Sequence, residues 1–164
     1  MNEKITILCL SDSHGSMWNF GKVLERCPRT DAVIFLGDGL SDAEKFAELD
    51  RGRSWFAVRG NCDFSSSFLG NVAKKTDEII LCNKKIIFTH GDLYGAKYGL
   101  DGLERLASER DADIVLYGHT HIAKEDYIDG VYYLNPGCVK TSSASSFGLL
   151  TLDGDSVLFS ISEL

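Results

Sequence analysis

The stretch that decides the fold lies close to the amino terminus, where residues 5–14 read ITILCLSDSH. Residues 5–10 form a nearly unbroken apolar run, which is typical of a β-strand covered on both faces. Asp12 and His14 follow two positions apart, so in an extended segment their side chains point the same way. A buried strand that leads into two such side chains predicts an α/β protein with a polar site at one edge of its sheet.

The first half of the chain repeats this pattern. Apolar runs at residues 32–36 and 55–58 predict two further strands that are buried on both faces. Between the strands, residues 17–27 and 43–47 carry apolar side chains at helical spacing, and Ser41 is placed to cap the second helix. Strands that alternate with helices indicate βαβ units around a parallel sheet.

The second half is richer in strands. Residues 78–81 and 85–88 alternate around Asn83 and Lys84, which predicts a hairpin. A helix is expected over residues 100–110 and a buried strand over 114–117, followed by strands joined through Asp-Gly turns at 129–130 and 153–154. We therefore expect two stacked sheets flanked by helices, in one domain that spans residues 1–164.

The overall composition restricts the classes of function. The net charge of −7 argues against nonspecific binding to long nucleic acid, which requires a positive surface. The five cysteines are odd in number and include no Cys-x-x-Cys pair, so neither a disulfide framework nor a zinc ribbon is indicated. No apolar run approaches the ~18 residues that a membrane span needs. We expect a cytoplasmic protein that does not enter a membrane.

Polar side chains gather at the ends of the predicted strands, and the four histidines lie only there. Ligand crevices of α/β sheets lie beyond the carboxyl ends of the strands. The residues that reach this edge are Asp12, His14, Asp38, Asn61, His90, His119 and His121. Carboxylate, imidazole and amide ligands suit Mn²⁺, Fe, Ni²⁺ or Zn²⁺ without choosing among them, and such a set can build a two-metal hydrolytic site.

Each of these residues also has an ordinary structural interpretation when it is taken alone. Asp12 or Asp38 could cap a helix or close a turn, and Asn61 could form a local Asx-turn. His90 could be a core histidine with satisfied hydrogen bonds. The complete ordered set favours a metal centre over these separate explanations.

The order Asp-x-His, Gly-Asp, Gly-Asn, His and Gly-His-x-His resembles the calcineurin-like metallophosphoesterase superfamily. The resemblance runs from Asp12 to His121 and, through Asn-Pro-Gly at residues 135–137, covers nearly the whole chain. The third motif, RGNCD at residues 59–63, is similar to that of the YfcE-like group of small phosphodiesterases. The resemblance implies a four-layer αββα sandwich, in which two mixed β-sheets are flanked by helices.

The resemblance also implies a ligand set and a reaction. One metal would be held by Asp12, His14, Asp38 and His121, and a second by Asp38, Asn61, His90 and His119, with Asp38 bridging. The cofactors would be two divalent ions, with Mn²⁺ as the first expectation and Ni²⁺, Fe, Co²⁺ or Zn²⁺ as alternatives. The implied activity is that of a phosphodiesterase on small or activated phosphate esters, through attack of a metal-bridging hydroxide.

The main departure from the wider superfamily lies at Cys62, where many members have histidine. Protonation of the leaving group is therefore open, and Asp63 or a metal-bound water could supply it. Without a strong acid, esters with low-pKa leaving groups should be favoured. Cys62 could instead be a simple packing residue, since thiols are often buried.

Asp92 also replaces a histidine that is common in relatives. We expect this to be a change outside the set of metal ligands, with no loss of a ligand.

Several side chains close to the motifs are candidates for substrate contacts. Arg59 and Lys140 could hold a nonbridging phosphate oxygen, or they could be solvated surface charges. Trp18, Phe64 and Tyr94 could stack on a base or ring, or they could pack in the core.

Two other functions remain open at this point. The chain could be a non-catalytic metal-binding scaffold for protein interaction, as a retromer subunit of this superfamily is, or a nucleotide-specific phosphohydrolase. The expected partner is a small-molecule phosphate ester, and the resemblance implies self-association as a homo-oligomer.

Overall fold

The computed structural model describes residues 4–64, 67–140 and 144–164. In this part of the chain the helices are α1 (Met17–Arg26), α2 (Leu40–Leu49), α3 (Phe68–Val72) and α4 (Asp101–Arg110), with a 3-10 turn at Asp92–Tyr94. The strands are β1 (Ile5–Leu10), β2 (Ala32–Phe35), β3 (Ser54–Ala57), β4 (Thr76–Leu81), β5 (Lys84–Thr89), β6 (Ile114–Leu116), β7 (Lys124–Ile128), β8 (Val131–Asn135), β9 (Ser146–Asp153) and β10 (Ser156–Glu163).

The first sheet has the strand order β10-β9-β1-β2-β3. Strands β1, β2 and β3 run parallel, with Leu8 opposite Val33 and Val33 opposite Trp55, while β9 and β10 are antiparallel to their neighbours. Every residue of β2 is buried, as predicted. The expectation that β3 is also covered on both faces is wrong, because β3 is the edge strand of the sheet and its residues are half-buried or exposed.

The second sheet has the order β4-β5-β6-β8-β7 and is also mixed. Strands β5, β6 and β8 are parallel, and β4 and β7 pair antiparallel at the two edges. The predicted hairpin exists, but its turn lies at Cys82 and Asn83, one residue earlier than expected, because these two residues adopt left-handed φ angles of 48° and 59°.

Three apolar clusters hold the layers together. The central cluster joins the two sheets and includes Ile7, Cys9, Ile34, Phe88 and Leu116. The second packs α1 and α2 on the outer face of the first sheet through Leu8, Leu10, Phe20, Phe35 and Leu40. The third packs α4 on the second sheet through Ile87, Leu103, Leu106 and Val115. Alternate residues of β1 thus enter different clusters, which confirms the four-layer αββα arrangement.

The start of α2 differs from the prediction. The helix begins at Leu40, with Gly39 at φ 145° before it, and Ser41 already lies inside its first turn. Ser41 is therefore not the cap. No described helix is long and apolar enough to cross a membrane.

Candidate metal centre

The two sheets bring the predicted site residues to one common edge. Loops after β1, β2 and β3 carry Asp12 and His14, Asp38, and Asn61, respectively. In the second sheet, His90 directly follows β5, and the loop after β6 carries the Gly-His-x-His motif at residues 118–121. All seven side chains meet there.

One part of the site forms around Asp12. His121 Nε2 lies 3.0 Å from Asp12 Oδ1, and His14 Nε2 lies 3.5 Å from the same oxygen. His14 Nε2 is also 3.8 Å from Asp38 Oδ2. Three groups that could bind a metal ion therefore converge beside Asp38.

The other part forms around His90, which is completely buried. Its Nε2 lies 3.3 Å from Asp38 Oδ2, 3.1 Å from Asn61 Oδ1 and 3.2 Å from His119 Nδ1. Its Nδ1 lies 2.7 Å from the carbonyl oxygen of Leu36. Because a carbonyl oxygen only accepts, Nδ1 carries the hydrogen, and the lone pair of Nε2 in the neutral ring faces the site.

The charges at the centre fit a bound cation. Asp12 and Asp38 are 0% and 3% exposed, and buried carboxylates are costly unless they are paired. Within the described ranges their ion-pair partners are histidines, with no lysine or arginine among them. A divalent cation would compensate both charges, and carboxylate, imidazole and amide donors suit it.

Neighbouring charges shift the pKa values of the buried pair. Burial alone would raise the pKa of Asp38, but the hydrogen bond and charge of His90 outweigh burial and hold that pKa well below its usual range. Burial would lower the pKa of His90, but Asp38 and Asp12 raise it above 6.5. The pKa of His119 is lowered by burial and by the charges of His90 and Lys97.

The backbone holds most of these residues in an uncommon conformation. Positive φ angles occur at Asp12 (56°), His14 (45°), Asp38 (59°), His119 (67°) and His121 (62°). Non-glycine residues adopt this region rarely, and such strain gathers at functional sites where the surrounding structure enforces it. The loops therefore aim these side chains precisely at the cost of backbone strain.

Gly60 allows two of the loops to approach each other. A Cβ atom at this position would lie 2.1 Å from Asp38 Oδ1 and 2.6 Å from the backbone nitrogen of Asp38. No side chain fits in this space, so the glycine before Asn61 is required by the position of Asp38.

Asp63 connects the loops through its carboxylate. Its Oδ2 accepts hydrogen bonds from the backbone N–H of Asp38 (2.7 Å) and Gly60 (2.8 Å). Its Oδ1 accepts from the N–H of Gly39 (2.8 Å) and Leu40 (2.9 Å), which caps α2. These four bonds occupy both oxygens and speak against the proton-donor role suggested by the sequence. Asp63 is a positioning residue.

Asp42 is a second carboxylate that braces a loop of the site by hydrogen bonds, as Asp63 does, and the sequence analysis did not identify it. This buried carboxylate accepts hydrogen bonds from Ser13 Oγ (2.6 Å) and from the backbone N–H of Gly15 (2.9 Å). It thereby ties α2 to the loop that carries His14. An acidic residue in the first turn of a helix, four positions after Asp38, was the signal that could have indicated this role.

Lys75 is a further outer contact that the sequence did not indicate. Its Nζ donates to the carbonyl oxygen of Gly60 (3.0 Å) and lies 3.4 Å from Asp92 Oδ2. The other oxygen of Asp92 is buried and has no hydrogen-bond partner among the described residues. The replacement of histidine by Asp92 is thus accompanied by a lysine partner.

The two residues considered for phosphate binding make other contacts in the structure. Arg59 Nη1 donates to the carbonyl oxygen of Gly70 at 3.3 Å, so its guanidinium holds α3. The backbone N–H of Lys140 donates to Asp12 O, and its side chain is half-buried. A phosphate contact by either residue stays a prediction.

The aromatic candidates lie in different environments. Tyr94 is half-buried and its hydroxyl is 3.0 Å from Thr76 Oγ1, which indicates a packing role. Trp18 is exposed, with Lys22 Nζ 4.8 Å from the centre of its ring. Phe64 is exposed and lines a cleft of about 230 Å³ together with His14 and Asp38.

Cys62 lies in the same cleft. Its backbone N–H donates to Asp38 Oδ1 at 2.7 Å, and its side chain is exposed. The interpretation of Cys62 as a buried packing residue is therefore wrong, because the turn after Asn61 directs the thiol outward.

Comparisons with known proteins agree with this geometry. The calcineurin-like phosphoesterase superfamily domain matches residues 5–155. The chain is 31% identical over 157 residues to the probable metallophosphoesterase YsnB of Bacillus subtilis, which covers 92% of this chain and 86% of YsnB. It is 27% identical over 175 residues to phosphodiesterase YfcE of Escherichia coli, which covers 93% and 90%, respectively.

Solved structures share the same fold. A "predicted phosphoesterase" from Streptococcus pneumoniae superposes with a TM-score of 0.80 at 28% identity, over 99% of this chain and 91% of that chain. Vacuolar Protein Sorting 29 from Cryptosporidium parvum reaches a TM-score of 0.78 at 20% identity over 98% of each chain, a likeness in fold. The match over residues 5–155 and the similarity to YsnB together establish that the chain belongs to the calcineurin-like phosphoesterase superfamily.

Proposed function

We propose that the protein is a divalent-metal-dependent phosphodiesterase that hydrolyses a small or activated phosphate ester. The observation that carries this proposal is the position of Asp38, whose carboxylate lies within 4 Å of both His14 Nε2 and His90 Nε2. A carboxylate between two groups of nitrogen ligands is suited to bridge two cations.

The distances support two groups of ligands. Asp12, His14, Asp38 and His121 would hold one ion, and Asp38, Asn61, His90 and His119 the other. We expect Mn²⁺ in both positions, with Ni²⁺, Fe, Co²⁺ and Zn²⁺ as alternatives. Bound cations of this kind activate water near neutral pH and neutralise charge on phosphoryl oxygens.

Residues of the chain fix the orientation of a proposed ligand and form the buried base of the site. The carbonyl oxygen of Leu36 fixes the ring orientation of His90 by accepting the hydrogen bond from Nδ1. Asp12 and Asp38 form the buried base of the site. The open side of the centre is the cleft at Cys62 and Phe64. Its volume of about 230 Å³ favours a small substrate group.

The surroundings favour substrates with a good leaving group. Asp63 is engaged by four backbone N–H groups. Burial and the charge of Asp38 raise the pKa of the Cys62 thiol above 9.0, so the thiol is a poor acid at neutral pH. Esters whose leaving group departs without a proton should therefore react fastest.

The test is hydrolysis of a bis-aryl phosphodiester by metal-stripped protein that is reloaded separately with each divalent ion. Asp38→Asn and His119→Ala should abolish the turnover that metal restores. Asp153→Asn, an exposed aspartate at the end of β9, is the matched control and should keep it. Turnover that is unchanged in Asp38→Asn would contradict the proposal.

A scaffold function is the second candidate, because the fold is shared with Vacuolar Protein Sorting 29. Metal binding without turnover of any diester or monoester would favour it.

A nucleotide-specific phosphohydrolase is the third candidate. It predicts that nucleotides, but not unrelated phosphates, inhibit turnover of the model diester.

We further propose a cytoplasmic location, since the odd and scattered cysteines suit a reducing compartment. Cell fractionation tests this location, and sedimentation tests whether the chain forms the expected homo-oligomer.

A further inference from the structure

The thiol of Cys62 stands next to two ligands of the candidate metal centre. Its Sγ, a nitrogen of His14 and a carboxylate oxygen of Asp38 all lie within 4.8 Å of one another. The Sγ of Cys62 accepts a hydrogen bond from Asn61 Nδ2 at 3.3 Å, and its backbone N–H donates to Asp38 Oδ1 at 2.7 Å. A soft sulfur donor therefore borders a site whose other ligands are nitrogen and oxygen.

The separation of these atoms suits a shared cation. Zinc binds sulfur at about 2.3 Å and imidazole nitrogen at about 2.0 Å, so its ligand atoms lie roughly 3.5 Å apart in a tetrahedral site. His14 Nε2 and Asp38 Oδ2 are already 3.8 Å apart. Cys62 is exposed, so a change of side-chain rotamer can bring its sulfur to the ion.

We propose that Cys62 is an additional ligand of this centre, which binds a thiophilic cation such as Zn²⁺ or Cd²⁺ together with His14 and Asp38. Thiolate favours these ions over Mn²⁺, which prefers oxygen ligands. Because Cys62 lines the cleft, its sulfur would take a coordination position that a phosphate oxygen would otherwise use. Zinc therefore supports a slower reaction than Mn²⁺ and inhibits the Mn²⁺-supported one, an effect that rests on the proposed function.

Coordination of the cation by Cys62 requires no oxidant. The S–H bond of Cys62 breaks, a bond from sulfur to the cation forms, and the proton passes to water. Binding of Zn²⁺ to the metal-free wild-type protein thus releases about one proton more than binding to a variant without the thiol. Binding of Mn²⁺ shows no such difference.

The first test uses Co²⁺ as a spectroscopic probe, because thiolate bound to Co²⁺ absorbs strongly in the near ultraviolet. Metal-stripped wild-type protein titrated with Co²⁺ should show this charge-transfer band. Cys62→Ser and Cys62→Ala should lose it, while both keep the visible bands of Co²⁺ at the remaining ligands. Cys27→Ser is the matched control, because Cys27 follows α1 and belongs to none of the described groups that could hold a metal ion. It should keep the band.

Two outcomes would overturn the assignment. One is a charge-transfer band that persists in Cys62→Ser. The other is a wild-type protein that shows the visible bands of bound Co²⁺ but lacks the charge-transfer band. Proton release in weakly buffered solution gives an independent count, and an equal count in wild type and Cys62→Ser would also overturn it.

Turnover with Mn²⁺ separates this inference from the proposed function. A band without any Mn²⁺-supported turnover would leave Cys62 as a ligand and reject the phosphodiesterase. Mn²⁺-supported turnover without the band would support the phosphodiesterase and reject Cys62 as a ligand. With both present, added Zn²⁺ should inhibit the wild type and Cys27→Ser, and inhibition should be lost in Cys62→Ser. Zinc inhibition that is equal in all three would reject the proposed effect on the reaction.

Discussion

The two sheets contribute to the candidate metal centre in different ways. The loops of the first sheet supply both carboxylates and are braced by two further acidic residues, Asp42 and Asp63. The loops of the second sheet supply three histidines, and a neutral amide, Asn135, braces the last loop. Negative charge is thus concentrated on one side and nitrogen ligands on the other. The first side therefore depends more strongly on its braces, because charged hydrogen bonds are the stronger ones.

The largest effect is expected from removal of the brace at Asp63. In Asp63→Ala four backbone N–H groups lose their acceptor, and we expect the free energy of unfolding to fall by about 3 kcal/mol. Urea unfolding measures this change. Asp77→Ala, which removes an exposed pair with Lys74, is the control and should cost less than about 1 kcal/mol. Equal losses in the two variants would show that water replaces Asp63.

A steric change tests how closely the loops of the first sheet must approach. In Gly60→Ala the new methyl group displaces Asp38, so we expect a loss of about 2 kcal/mol in stability and a decrease of about 100-fold in kcat/KM. In Gly52→Ala, where the nearest atom is 3.8 Å away, both quantities should stay close to wild type. Normal turnover in Gly60→Ala would mean that Asp38 need not occupy its present position.

The brace of the second sheet should matter less. Asn135 Nδ2 donates to Gly118 O (3.1 Å) and Thr120 Oγ1 (3.0 Å), on either side of His119. We expect Asn135→Ala to lower the free energy of unfolding by about 1–2 kcal/mol and to weaken metal binding. Calorimetric titration of the metal-free variant measures the affinity. A loss in stability larger than that of Asp63→Ala would reverse the ranking of the two sides.

The smallest effect concerns pH. The pKa of His90 is raised above 6.5 by Asp38 and Asp12, so its protonated form stabilises the metal-free fold. That contribution is present below pH 6.5 and is lost as the pH rises through the raised pKa. Metal-free protein should therefore lose some stability above neutral pH, while metal, which takes the place of the proton, should bind more tightly there. Thermal unfolding between pH 6 and pH 9, with and without Mn²⁺, measures both trends, and a metal-free Tm that rises with pH would contradict them.

Much of the fold follows from local patterns in the sequence. Continuous apolar runs predicted β1 and β2, and helical spacing predicted α1, because these patterns depend on what covers each face. The half-exposed state of β3 could not be predicted, since its position at the edge depends on the order of strands in the sheet. The one-residue shift of the β4–β5 turn has a similar origin, because left-handed φ at Cys82 is set by the register of the hairpin.

The candidate site also has features that the sequence could predict and features that depend on the folded structure. The positions of His14, Asp38 and His90 at the edge of the sheets could be predicted because each lies shortly after the end of a predicted strand. The partners of Asp42 and Asp63 could not be predicted, since most of their hydrogen bonds join residues 23 to 29 positions apart in the chain. The outward direction of Cys62 likewise depends on the turn after Asn61, which the type of residue does not reveal.

The cap of α2 has a consequence for the order in which the protein can assemble during synthesis. The first N–H groups of this helix are satisfied by Asp63, which lies beyond the whole of β3. A nascent chain that has left the ribosome only as far as residue 60 contains the sequence of α2 but not its cap. The start of α2, next to Asp38, therefore gains its cap only after β3 has been synthesised. A chain truncated before Asp63 lacks this cap and also lacks the later residues of the candidate centre.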